Sequence, residues 1–165
     1  MRSSRGFTLF ELLVVMALIS VIAGIAIPTL AGSTARNQVW SASEVIGSQI
    51  RQARLKAISR NLSFRVRFDC PAAGQFRVLQ VTGVAATDNA IDRCATNQPY
   101  DSGVYVLPAN ITTDITPTLT VNSRGVYSST AGIPTTINVS YGGATTSVRS
   151  LTVSATGQIN FAIVH

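Results

Sequence analysis

Glu11 is a carboxylate set inside an otherwise apolar stretch, residues 7–31, that is interrupted by Ser20, Gly24, Pro28 and Thr29. Within a membrane helix a carboxylate costs roughly 2.5–3.5 kcal/mol, so it is rarely idle. One local use is a capping box, for Thr8-x-x-Glu11 has the spacing for reciprocal bonds in a first helical turn. Cys70 and Cys94 both follow the apolar stretch. They form one disulfide if the domain is exported, worth roughly 3 kcal/mol for a loop of this size, or remain two buried thiols. His165 stands alone at the last position, so these cysteines do not make a zinc site. Asp88 and Asp92 offer the hard oxygens that calcium takes, but their spacing matches no dedicated calcium loop and solvated loop acids are expected. No Gly-rich phosphate loop appears, and no Ser or Cys lies in a nucleophile context. The expectation is a structural protein, not an enzyme, with no cofactor or metal.

The elements that position these residues begin with the apolar stretch. As a helix, residues 7–31 reach on the order of 35–40 Å, enough for a bilayer core of ~30 Å. Arg2 and Arg5 precede it and place the start in the cytoplasm. An ordinary signal peptide cut near Ala31-Gly32-Ser33 would need a shorter apolar region without a carboxylate in it. A plain membrane anchor explains the length and orientation but not Glu11. Pro28 removes one helical hydrogen bond and tends to kink the helix, and it is equally readable as a proline tolerated in a membrane helix.

From residue 33 to residue 60 the pattern becomes amphipathic. At about 100° per residue, Val39, Ile46, Ile50, Ala53 and Ala57 share one stripe, with Lys56 and Arg60 on one edge and Arg51 and Arg54 on the other. Ala53 and Ala57 are small enough to let a sheet approach closely, and Trp40 falls off the stripe as edge packing. Residues 62–69 alternate strictly, with Leu62, Phe64, Val66 and Phe68 on one face. Further strands are expected at 75–81, 103–107, 118–122, 135–141, 148–154 and 158–164, with residues 83–102 as a loop tied down by the disulfide. The expected class is α+β, one long helix packed on antiparallel β-sheets, in a single modest domain plus an N-terminal segment.

Two segments carry a family resemblance. A short basic leader ending in Gly6, followed by Phe7-Thr8-Leu9-Phe10-Glu11 and an apolar helix, resembles the site that prepilin peptidase cuts and N-methylates. The run Ala53-Arg54-x-x-Ala57-Ile58-x-Arg60-Asn61, leading straight into a strand, resembles the GspH/FimT group of type IV pilin-like proteins, as does the closing Ser154-Ala-Thr-Gly-Gln158. The resemblance implies a minor pilin of a type IV pilus or a minor pseudopilin of type II secretion. It implies cleavage between Gly6 and Phe7, methylation of Phe7, and neutralisation of a neighbour's N-terminal amine by Glu11 during assembly. It also implies that residues 24–28, ending at Pro28, loosen in the filament. The partners so implied are other pilins or pseudopilins through the N-terminal helix, prepilin peptidase, and the inner-membrane assembly machinery. The organisation is then a cleaved cytoplasmic leader at 1–6, a transmembrane assembly helix at 7–32, an amphipathic helix at 33–61 and a periplasmic sheet domain at 62–165.

The formal charge is +6, and losing Arg2 and Arg5 with the leader lowers it to +4, a mild basic balance. Some pilins of the FimT type bind DNA through a C-terminal Gly-Arg-x-Arg. The matching residues are Gly157-Gln158-Ile159-Asn160, without either arginine. Phosphate contacts need cations. Arg65, Arg67 and Arg77 are a conceivable substitute patch, against the plainer expectation of solvated arginines, so nucleic acid is not an expected partner.

Overall fold

The computed structural model describes residues 8–113, 118–142 and 148–164, without the side chains of 26–32, 91 and 164. Gly6, Phe7, the leader and His165 therefore lie outside the described residues, as does the side chain of Pro28. Helix α1 spans Leu9–Arg60, 52 residues, and runs through Pro28. The chain divides into two units, Met1–Ala35 and Arg36–His165. In the first unit, the described large apolar side chains are exposed all round the helix, from Leu9 at 81% to Ile25 at 70%. Among the described residues no helix is long and apolar enough to cross a membrane. The side chains of the apolar stretch are described only as far as Ile25, short of the length expected from the full run.

In the second unit the amphipathic stripe lies against the sheets. Val39, Ile46, Ile50, Ala53 and Ala57 are all buried, and Ala42 and Ser43 join them. Ser43 can sit there because its hydroxyl donates to the Val39 carbonyl at 2.6 Å within the helix. Asn61, at φ 54°, ends the helix in the left-handed region, and the Leu62 N–H turns back to the Ala57 carbonyl at 3.1 Å. Asparagine tolerates that conformation, so the Arg60-Asn61 pair ends the helix and starts a strand.

Nine antiparallel strands follow among the described residues. They are β1 (Ser63–Phe68), β2 (Gln75–Val81), β3 (Tyr105–Val106), β4 (Ile111–Thr113), β5 (Leu119–Val121), β6 (Tyr127–Ser129), β7 (Thr135–Tyr141), β8 (Val148–Val153) and β9 (Ile159–Val164). One sheet has the order β3-β2-β1-β5-β6 and the other β4-β7-β8-β9. Period-two alternation sends Phe64, Val66, Leu119 and Val121 of the first sheet into one core with Ile137, Val139, Leu151 and Val153 of the second. The α1 stripe belongs to the same cluster.

β4 and β6 were not expected from the sequence: Ile-Thr-Thr and Tyr-Ser-Ser each hold a single apolar or aromatic residue, so no alternation registers. The expected strand at 103–107 is only two residues long. The stretch 83–102 is not structureless either. It holds helix α2 (Ala85–Asp88) and a 3₁₀ turn, Ile91–Cys94, both too short to show a helical period.

Candidate functional site

At the start of α1, Thr8 Oγ1 accepts the Glu11 N–H at 3.2 Å and so satisfies one of the first-turn donors. Glu11 itself is exposed. Around it Leu9, Phe10, Leu12, Leu13 and Val14 are exposed as well. A helix apolar on every face gains only when all of it is removed from water, in lipid or in a bundle of similar helices. One acid in that surface is suited to meet one positive charge there.

The second constellation covers β2. Cys70, after β1, and Cys94, at the end of the 3₁₀ turn, form a disulfide. Arg77 of β2 extends under the same segment and donates to the carbonyls of Cys94 and Ser102 and to Asn97 Oδ1. Arg93 pairs with Asp101 at 2.6 Å, both side chains only 2% exposed. Asp101 also accepts the N–H groups of Gln80 at 2.7 Å and Gln98 at 2.8 Å, while Arg93 reaches the Gln80 carbonyl at 2.9 Å. Burial pushes the Asp101 carboxyl up, but Arg93 and the two backbone donors outweigh it and hold the group below its ordinary value. The Arg93 bond to Asp101 correspondingly raises the guanidinium, against burial. A buried charge pair with its remaining valences filled fixes one arrangement of the segment, because moving either partner strands the other.

These contacts revise the arginine patch. Arg77 is 3% exposed and committed to loop carbonyls, so it presents no cation to a phosphate. Arg65 donates to the Asp88 carbonyl and to Asn89 Oδ1, both at 3.1 Å. Arg67 stands opposite Arg77 in the β1–β2 register and is half-buried. Asp88 is buried; its carboxylate accepts Thr82 N–H and Oγ1–H at 2.9 Å and Gly83 N–H at 3.0 Å. Burial raises this group too, yet those donors and the Arg65 charge keep it below its usual value. Asp88 thus holds a turn, and no described group of three or more His, Cys, Asp or Glu is placed to hold a metal.

Two further contacts escaped the sequence reading. Arg149 of β8 lies between the rings of Trp40 and Phe161, 4.1 and 4.2 Å from their centroids, and pairs with Glu44 at 3.1 Å. Trp40 is thus edge packing, with a cation as its neighbour. The Tyr127 hydroxyl donates to the Ile50 carbonyl of α1, and burial raises that phenol far above its ordinary range. Arg149 interrupts the alternation of β8, which was the available signal. Tyr127 lies on a strand, Tyr-Ser-Ser, that carries no alternation.

The architecture is that of pilins and pseudopilins. The solved minor pilin FimU of Pseudomonas aeruginosa is 18% identical with a TM-score of 0.55, over 78% of this chain and 91% of FimU. The minor pseudopilin EpsH from the type 2 secretion system of Vibrio cholerae is 19% identical with a TM-score of 0.51, over 74% of this chain and 94% of EpsH. At these identities the likeness concerns the fold. Residues 42–157 match the type II transport protein GspH family, and residues 1–27 match the prokaryotic N-terminal methylation motif. The chain belongs to the GspH family. A fimbrial protein of P. aeruginosa is 48% identical over 59 residues, 35% of this chain and 37% of that protein. The pilin-like protein PilA1 of Thermus thermophilus is 36% identical over 72 residues, 44% of this chain and 45% of that protein. The chain thus spans less than half the length of these two relatives.

Proposed function

We propose that this chain is a minor subunit of a type IV pilus or of a type II secretion pseudopilus. Prepilin peptidase cuts between Gly6 and Phe7 and methylates the new amine. The apolar helix then holds the chain in the bacterial inner membrane as a single pass, with residues 62–165 in the periplasm. On assembly the helix leaves lipid for a bundle of partner helices, a transfer between apolar surroundings that costs little. Glu11 there meets the amine of a neighbouring subunit's first residue. Each charge is expensive alone in a low dielectric, so the pair selects one axial register. Residues 24–28, ending at Pro28, are the place where the helix can loosen, because proline withholds one backbone donor.

The observation that carries this reading is a helix start that is apolar and exposed on every face, with one exposed acid, inside a match to the N-terminal methylation motif. The work expected of the chain is structural, and the assembly machinery acts on it rather than the reverse. Binding of DNA is not favoured. The Gly157-Gln158-Ile159-Asn160 segment lacks both arginines, and Arg77 is buried beneath a loop.

Mass analysis of the membrane-bound chain tests the proposal. The expected N-terminal peptide starts at methylated Phe7. A mature start near Ser33 would mean an ordinary signal peptide and would remove the subunit reading.

A further inference from the structure

A second surface of the Arg36–His165 unit combines exposed aliphatic side chains with arginines. The β5–β6 turn, residues 122–126, is fixed by its own bonds: Asn122 Oδ1 accepts the N–H groups of Arg124 and Val126, both at 3.0 Å. It is also fixed to α1, because Arg54 Nε donates to the Gly125 carbonyl at 3.0 Å. Ile58 lies so close to Gly125 that a Cβ there would come within 2.7 Å of its Cδ1. This docking sets Val126, 45% exposed, and Arg124, also exposed, beside the helix face that carries Leu55 at 67% and Ile58 at 49%. Arg51, four residues before Leu55, shares that face. Three aliphatic side chains are thus rimmed by Arg51, Arg54 and Arg124.

None of these arginines has an ion-pair partner among the described residues, where both salt bridges lie elsewhere. A second copy offers them few carboxylates. In this unit Glu44 is paired with Arg149, Asp101 with Arg93 and Asp88 with the 82–83 turn. That leaves Asp69 and Asp92 as the exposed carboxylates without a cation partner among the described residues of the unit, two for three arginines. Phosphate of a nucleic acid would satisfy the arginines but leave the aliphatic centre against water. An apolar centre with a charged rim is instead the anatomy of a protein interface.

We infer that this face, Leu55, Ile58 and Val126 within Arg51, Arg54 and Arg124, docks a different protein whose apolar contact is flanked by carboxylates. The inference deepens the subunit reading and rests on it for the presence of such a neighbour. Its test puts a photo-crosslinking benzoylphenylalanine at position 126 of the full chain, in cells that assemble the filament. The expected adduct joins a peptide of another protein that carries Asp or Glu beside apolar residues. Arg51→Glu with Arg124→Glu should lower its yield about tenfold, the steering loss for a reversed rim. Changing the partner's acid to Arg should restore the adduct, which a misfolded variant could not do. The inference is overturned by the absence of an adduct, an adduct with a second copy, a crosslinked peptide without an acid, an adduct removed by nuclease, or a yield indifferent to charge reversal. The N-terminus of the membrane-bound chain is determined in parallel by mass analysis. A mature start near Ser33 sinks the subunit reading, whereas a start at methylated Phe7 without an acidic adduct sinks this inference alone.

Discussion

Asp101 illustrates what one side chain can hold in this protein. It accepts from Arg93, Gln80 and Gln98, and its folded-state acidity is stronger than that of an unfolded carboxyl despite burial. For a group depressed in this way, the stabilisation is complete above the unfolded value of about 3.9 and disappears as pH falls through the lower folded value. Asp101→Asn would leave Arg93, 1% exposed, charged and without its partner. Breaking one side of a buried pair costs about 3–5 kcal/mol. Denaturant unfolding of the full chain in detergent should show that loss at pH 7, and the gap between variant and wild type should shrink below about pH 4. Equal midpoints at pH 7 would mean that the pair is idle. None of this was legible in the sequence, where Arg93 and Asp101 sat in a stretch without periodicity. Side-chain pairing across such a stretch depends on how the backbone folds back over β2.

At the scale of elements, the β8–β9 turn links parts that lie far apart in the chain. Gly157 adopts φ +80°, and a Cβ there would come within 2.9 Å of Tyr127 Cε2 and 3.0 Å of Arg54 Cδ. The Tyr127 ring cannot easily yield, because its hydroxyl is bonded to Ile50 of α1 and its N–H to the Ala155 carbonyl at 2.8 Å. Gly157→Ala therefore combines a left-handed backbone with a close contact, and should cost roughly 1–3 kcal/mol. Gly132 also has positive φ, at 91°, but an added Cβ meets nothing within 4 Å. The comparison is the test: thermal melting should fall further for Gly157→Ala than for Gly132→Ala, and equal losses would remove the packing argument. The Ser154-Ala-Thr-Gly-Gln158 run was recognisable as a signature in the sequence. Why it needs glycine became clear only once β6 and α1 were seen against it.

For the whole molecule, the disulfide decides how firmly the 82–104 segment is held on the first sheet. Cys70 and Cys94 are 24 residues apart in sequence, and cross-linking them restricts the unfolded chain. In the chain-entropy account, Cys70→Ser with Cys94→Ser should cost about 3 kcal/mol, read as a lower denaturation midpoint under non-reducing conditions. An unchanged midpoint would place the stability of the segment in the Arg77, Arg93 and Asp101 contacts alone. Burial of the Ala53 and Ala57 stripe and of alternate β1 side chains confirms the α+β class on which these arguments stand.

By itself the sequence determined whatever is written as a local repeat or a fixed spacing. The helix stripe from Val39 to Ala57, the alternation of β1, and the Gly6-to-Glu11 signature all belong here, because each depends on neighbours within a few positions. Only the tertiary structure decided what depends on distant residues meeting. It buried Arg77, matched Arg93 to Asp101, set Arg149 between Trp40 and Phe161, and brought the turn at Gly125 against Ile58 and Arg54. Charged side chains are long and can find partners in several directions, so their fates follow from the packing of backbones around them rather than from their own positions in the chain.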